Sequence, residues 1–171
     1  PGYPLVRALA ARGFRVVPIP GPCSITAALS AAGLPTDRFL FEGFLPARST
    51  GRRRLMDSLS RQPRTLVFLE TARRIGVTLV DMEEIFGGDR ELALARELTK
   101  LHEEFLRGSV SELRSLLESD PGRCRGEFVM VVRGAATADA AFEDAAALMA
   151  ALLEELPVSR AAAVAARITG G

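Results

Sequence analysis

The sequence predicts an α/β protein built on a five-stranded mixed sheet flanked by helices, and three observations carry that reading. Five β-rich runs, at 38–44, 65–70, 91–97, 103–107 and 127–132, alternate with stretches whose apolar residues repeat at helical spacing. Two of the runs are joined only by residues 98–102, too few for a crossover helix, which makes that pair an antiparallel hairpin and the sheet mixed. The balance of 48% hydrophobic and 25% charged residues in 171 is that of an ordinary globular protein, long enough to bury a core without staples.

Each element has a local reason. Leu5, Val6 and Leu9 recur at helical spacing over residues 4–11, Pro4 suits the first turn, and Gly13 stands at the C-terminal cap. The run 14–19, with Val16 and Val17, reads as a buried strand bounded by Gly13 and Pro20-Gly21-Pro22. A helix follows from Cys23 or Ser24 and ends at Gly33; the small residues of 21–24 would let a ligand approach the backbone closely. Thr50 is expected to cap a basic helix to about Ser60. Thr71 or Ala72 is expected to begin one that ends at Phe86, before Gly87-Gly88. Ser109 and Glu112 have capping-box spacing for a helix to Glu118. Beyond Ala135 the composition shifts to 15 alanines in the 32 residues 135–166. Phe142, Ala145, Met149, Leu152 and Leu156 mark one face of a helical appendage there.

Charge and motif content narrow the function. With 22 basic and 21 acidic residues the net charge is +1, so any basic surface must be local. Cys23 and Cys124 lie far apart, as expected of a reduced, intracellular protein, and the cytoplasm is the expected compartment. No apolar run approaches the roughly 18 residues of a membrane span, so no membrane partner is expected. A single histidine and two cysteines make a metal site unexpected. The chain contains no G-x-G-x-x-G, P-loop, H-E-x-x-H or G-x-S-x-G motif. It opens on Pro1-Gly2 without an initiator methionine and stops just after a helical pattern, which reads as a piece of a longer protein.

Two segments could carry chemistry. Residues 96–104 form the densest polar stretch, and strand alternation in the hairpin would present Lys100 and His102 on one face. Such a pair could deprotonate a hydroxyl or bind phosphate; a solvated hairpin tip with cross-strand ion pairs is the competing reading. Arg48, Arg52, Arg53, Arg54, Arg61 and Arg64 place six guanidinium groups within 17 residues, opposed inside that span only by Asp57. Arginine grips phosphate with paired hydrogen bonds and stacks on bases, so RNA contact through Arg48, Arg52, Arg53 and Arg54 stands beside a merely solvated helix face.

Four ordered blocks carry a resemblance over essentially the whole chain: Val17-Pro18-Ile19-Pro20-Gly21-Pro22-Cys23-Ser24, residues 33–46, residues 95–104, and Gly126-Glu127-Phe128-Val129. Together they resemble the ribosomal RNA small subunit methyltransferase I family of the tetrapyrrole methylase-like superfamily. The resemblance implies transfer of a methyl group from S-adenosylmethionine to the 2′-hydroxyl of a cytidine in the decoding region of small-subunit ribosomal RNA. It also implies two α/β lobes with the cofactor between them, and a homodimer. Residues 1–33 would be the tail of a first, Rossmann-like lobe, 34–134 the second lobe, and 135–171 a truncated helical C-terminal region.

By position, the resemblance assigns cofactor contacts to Cys23, Ser24, Leu69, Glu70, Leu98, Gly126 and Glu127, many through backbone atoms. Lys100 and His102 become the candidates for handling the hydroxyl proton. One departure is clear: where the family shows Tyr-Glu-Ser-Pro-His-Arg, this chain has Leu69-Glu70-Thr71-Ala72-Arg73-Arg74. Two other readings remain: a non-catalytic RNA- or ribosome-binding module, and a methyltransferase of the same fold acting on a tetrapyrrole.

Overall fold

A computed structural model describes residues 2–135, 148–153 and 156–169. Their helices are α1 (Tyr3–Ala11), α2 (Ser24–Ala31), α3 (Ser49–Leu59), α4 (Ile75–Phe86), α5 (Val110–Ser119) and α6 (Val158–Thr169), with 148–153 also helical. The strands are β1 (Phe39–Phe44), β2 (Thr65–Thr71), β3 (Glu91–Arg96), β4 (Glu104–Ser109) and β5 (Glu127–Val132). All five β-rich runs after Pro35 are strands of one sheet, in the order β1-β2-β5-β3-β4. β1 and β2 run parallel and every other pairing is antiparallel, so the sheet is mixed as expected.

Period-two alternation sorts the side chains onto two faces. Leu66, Phe68, Leu92, Leu94, Phe128 and Met130 face α3, α4 and α5, whose Met56, Leu79, Met82 and Leu113 complete the larger core. Val67, Ala93, Ala95, Val129 and Val131 face the other way, against Ala28, Leu29 and Ala32 in and just after α2. Alanines on both surfaces let that helix come close. Arg107, on edge strand β4, donates to the carbonyls of Ala31 and Ala32 and so holds the C-terminal end of α2. The capping box at α5 forms as its spacing predicts, with Ser109 and Glu112 each satisfying the other's backbone N–H.

Three expectations need correction. Residues 14–19 are not a strand: Phe14, Val17 and Ile19 are exposed, and a β-rich run becomes a strand only where a neighbour takes its hydrogen bonds. α4 starts at Ile75 rather than at Thr71 or Ala72, because β2 continues to Thr71 and a turn closed by Arg74 N–H to the Thr71 carbonyl intervenes. α3 is preceded by Arg48, without a side-chain cap from Thr50. In the alanine-rich region Phe142 and Ala145 lie outside the described residues, whereas Met149, Leu152 and Leu156 are each half-buried.

Candidate functional site

The strand ends build a cleft. β2 and β5 pair antiparallel with Leu69 opposite Val129, Glu70 opposite Phe128 and Thr71 opposite Glu127, so the finish of one strand lies beside the start of the other. Ala95, near the end of β3, pairs with Val129 and adds the next column. Phe44, Ser24, Leu98 and Lys100 complete the lining of a cavity of about 210 Å3. An adjoining open hollow of about 560 Å3 shares Ser24 and Leu98 with it and extends along Gly21, Cys23 and Thr99. Thus Ser24, Leu69, Glu70, Leu98 and Glu127, drawn from across the sequence, line one cavity. Cys23 sits in its extension, and Gly126 directly precedes Glu127.

Each wall has a structural cause. Cys23 is exposed as the residue capping α2, and the backbone N–H groups of Thr26 and then Ile25 lower its thiol pKa. Gly126 has φ of +87°, and a Cβ there would overlap the side chain of Glu97. Its carbonyl accepts from Ala72 N–H at 3.2 Å, which ties the turn after β2 to the start of β5. Only glycine meets both demands without strain.

Glu70 plays a different part from a free acceptor. Its carboxylate is buried and accepts from Thr71 N–H at 2.8 Å, Thr78 Oγ1 at 2.9 Å and Arg74 at 3.1 Å. Arg74 also donates to the carbonyls of Leu45 and Pro46. The pair therefore braces the cleft floor, joining the end of β2, the start of α4 and the loop after β1. Within the departed segment Leu69-Glu70-Thr71-Ala72-Arg73-Arg74, the glutamate and the final arginine keep a structural task.

The loop 97–103 corrects the expected pairing of Lys100 with His102. These residues form a chain of turns rather than continued strands, with Glu97 and Thr99 at φ of +49° and +64°, so strand alternation does not apply. Lys100 faces the cleft and donates to Glu97 at 2.8 Å and Glu127 at 3.1 Å. His102 lines a separate open hollow with Arg96, Glu104, Asp120 and Arg123, where Glu104 pairs with both arginines. The Glu97 side chain raises the Lys100 pKa most, Glu127 next, while Lys100 and then the Glu127 backbone lower that of Glu97. An ammonium stabilised in this way is a fixed cation at neutral pH and a poor proton acceptor.

The arginine segment is divided by tertiary contacts that its own sequence does not contain. Arg52 is buried and paired with Asp81 of α4, and Arg53 bridges Asp81 and Glu84. The hydrogen bonds to Glu84 and then Asp81 raise the Arg53 pKa further. Arg52 is therefore unavailable to a phosphate and Arg53 already engaged, whereas Arg48 and Arg54 are exposed with no side-chain partner among the described residues. Asp57 was the only acid visible inside the segment; the counterions come from α4.

Sequence reasoning missed Phe44, Thr71 and Ala95 as lining residues, although strand ends beside glycine-rich turns are where a cleft would be sought. Among the described residues no group of three His, Cys, Asp or Glu side chains is placed to hold a metal ion. No described helix is long and apolar enough to cross a membrane.

Comparison with known proteins agrees with this architecture. The family profile described as Tetrapyrrole (Corrin/Porphyrin) Methylases matches residues 1–114, and the RsmI C-terminal HTH domain matches residues 139–171. Proteins named ribosomal RNA small subunit methyltransferase I are 48% identical in Xylella fastidiosa (strain 9a5c) and 47% identical in Pseudomonas aeruginosa. Each match covers 99% of this chain and 63% or 61% of the relative, respectively, so the chain spans about three-fifths of their length. Among solved structures, a cobalt precorrin-4 methyltransferase of cobalamin biosynthesis superposes with a TM-score of 0.55 at 15% identity, over 77% of this chain and 57% of that one. A uroporphyrin-III C-methyltransferase from Thermus thermophilus, complexed with S-adenosyl homocysteine, gives a TM-score of 0.50 at 18% identity over 77% and 58%. At these identities the structural likeness bears on the fold alone.

Proposed function

We propose a function from one premise: the chain belongs to the tetrapyrrole (corrin/porphyrin) methylase family, whose profile covers two-thirds of it. The whole protein is an S-adenosylmethionine-dependent methyltransferase acting on the ribose 2′-hydroxyl of a cytidine in small-subunit ribosomal RNA. The observation that carries this reading is the meeting of Ser24, Leu69, Leu98, Lys100 and Glu127 in one cleft at the sheet's end, in a chain 48% identical to a protein of that name. The domain division at 33 and 134, a cytoplasmic location and pairing as a homodimer belong to the same proposal.

The cleft's lining suits such a cofactor. Phe44, Leu69, Ala95, Leu98 and Val129 offer apolar contact, and the backbone beside Gly126 and at the start of α2 offers polar groups without bulky side chains. Cys23, Ser24, Leu69, Glu70, Leu98, Gly126 and Glu127 would hold the cofactor, Glu70 through its backbone because its carboxylate is engaged. When bound, S-adenosylmethionine supplies an electrophilic methyl group on a sulfonium.

Transfer of that methyl group to the ribose oxygen would leave S-adenosylhomocysteine, its sulfur keeping the electron pair of the broken carbon–sulfur bond, and the hydroxyl proton would pass to solvent at the open side of the cleft. The cleft's residues would align the oxygen with the methyl group. Lys100, held between Glu97 and Glu127, serves as a positioning cation that fixes the 97–103 loop on the cleft rim rather than removing the proton. His102, in its separate hollow, takes no part at this centre.

Full-length protein titrated calorimetrically with S-adenosylhomocysteine and with decoding-region RNA tests the reading, together with methyl transfer into small subunits mapped to the ribose. Binding of both and a 2′-O-methyl product are expected. RNA binding with no cofactor binding would favour a non-catalytic module, and methylation of a tetrapyrrole instead of RNA would replace the substrate.

A further inference from the structure

Three adjacent strand ends at the other end of the sheet carry arginines that are far apart in sequence. Arg38 immediately precedes β1, Arg64 immediately precedes β2, and Arg133 immediately follows β5. Phe39 pairs with Thr65 at the start of the parallel ladder, and Leu66 pairs with Val132 in the antiparallel one, so Arg38 falls beside Arg64, and Arg133 falls opposite Thr65, one residue further along β2. With strands about 4.8 Å apart, they span roughly 10 Å. All three are exposed and line one open hollow of about 490 Å3 with Asp37, Thr65 and Gly134.

The hollow is rigidly mounted and under-neutralised. Thr65 N–H donates to the Arg38 carbonyl, Arg133 N–H to the Glu91 carbonyl, and Ala135 N–H to the Gln62 carbonyl. Arg64 Nε donates to the neutral amide oxygen of Gln62 at 2.9 Å, and Arg64 has no ion-pair partner among the described residues. Arg38 has no side-chain partner among the described residues. Of the three, Arg133 alone has an ion-pair partner among the described residues, Glu91 at 2.7 Å, and both members are about half exposed. Three planar guanidinium forks on a fixed frame suit oxygens of phosphate groups.

We propose that Arg38, Arg64 and Arg133 form a second RNA contact, a binding site for the phosphodiester backbone remote from the methyl-transfer cleft. It rests on the reading of the substrate as RNA. The length of β2, from Thr65 to Thr71, separates hollow and cleft by about 20 Å. The site therefore anchors the RNA at a distance and contributes to its affinity without touching the cofactor.

The test uses the full-length protein with Arg38→Gln, Arg64→Gln and Arg133→Gln combined, and Arg38→Gln alone as the variant that breaks no side-chain contact. Binding of a small-subunit ribosomal RNA fragment is measured against salt concentration. The salt slope should fall by about 2 in the triple variant and by about 0.7 in Arg38→Gln, with S-adenosylhomocysteine affinity unchanged within twofold. An unchanged slope in protein that still binds both ligands overturns this proposal while leaving the methyltransferase reading intact; absence of cofactor binding in the wild type would instead strike that reading. Saturable inorganic phosphate binding, lost in the triple variant while the RNA slope stays put, would assign the hollow to free phosphate and overturn the RNA contact.

Discussion

Arg52 and Asp81 form a buried pair in which both Nε and a terminal nitrogen of the guanidinium approach the same carboxylate oxygen at 2.6 Å. The arginine comes from α3 and the aspartate from α4, and Ser49 donates to the same carboxylate at 3.3 Å. The contact fastens two of the three helices that cover one face of the sheet. Removing one member leaves the other charge desolvated, a larger penalty than losing both.

Asp81→Ala is accordingly expected to destabilise the fold by about 3–5 kcal/mol. The double replacement Arg52→Met with Asp81→Leu should recover most of that loss, because it removes both buried charges. Urea denaturation of the three proteins checks this; equal stability of the single and double variants would show that the pair does not act as a desolvated unit.

The same pair marks the limit of what one sequence reveals. The mixed sheet was legible because strand runs, turns and a short 98–102 connection are local signals, and its hairpin forms as β3 with β4. Of the positions the resemblance assigns, Ser24, Leu69, Glu70, Leu98 and Glu127 line one cleft, although Leu69 and Glu70 lie in the segment that departs from the family pattern. Residues 14–19 misled because β-propensity says nothing about whether a neighbouring strand is present. Arg52 misled because its counterion lies 29 residues away on another helix. His102 misled because left-handed residues at 97 and 99 convert a presumed alternation into turns.

Gly126 is the position where the cleft should tolerate substitution least. Its φ of +87° disfavours any side chain, at about 1–2 kcal/mol. An alanine Cβ would also displace Glu97, breaking the bonds from Lys100 and from Glu127 N–H that the carboxylate accepts. Gly126→Ala should lower both the melting temperature and S-adenosylhomocysteine affinity of the full-length protein. A variant that melts lower yet binds the cofactor unchanged would separate this turn from the site.

The Glu97–Lys100 contact should hold across the neutral range and fail at both ends. Lys100 and then the Glu127 backbone depress the Glu97 pKa, so its contribution is present above the ordinary carboxylate value near 4.3 and disappears as pH falls through the lowered one. Glu97 and then Glu127 elevate the Lys100 pKa, so that contribution is complete below about 10.4 and disappears as pH rises through the elevated one. Lys100→Met should move the Glu97 midpoint upward in a carboxyl NMR titration and abolish the alkaline change in the 97–103 loop. A Glu97 midpoint insensitive to the substitution would mean the ion pair is not formed in solution.

Arg48 and Arg54 should behave oppositely to Arg52, although all three belong to one basic segment. Neither exposed arginine has a described partner, so Arg48→Ala with Arg54→Ala should leave stability within about 0.5 kcal/mol. If this helix also meets RNA, the pair lowers the salt slope of binding by about 1.4, from two phosphate contacts at 0.7 each. Arg52→Ala should destabilise the fold by uncovering Asp81 and, at temperatures where the variant remains folded, leave the slope unchanged. A fall in slope for Arg52→Ala but none for the exposed pair would reverse the assignment that burial makes among these three: Arg52 holds α3 to α4, while Arg48 and Arg54 are free to reach a phosphate.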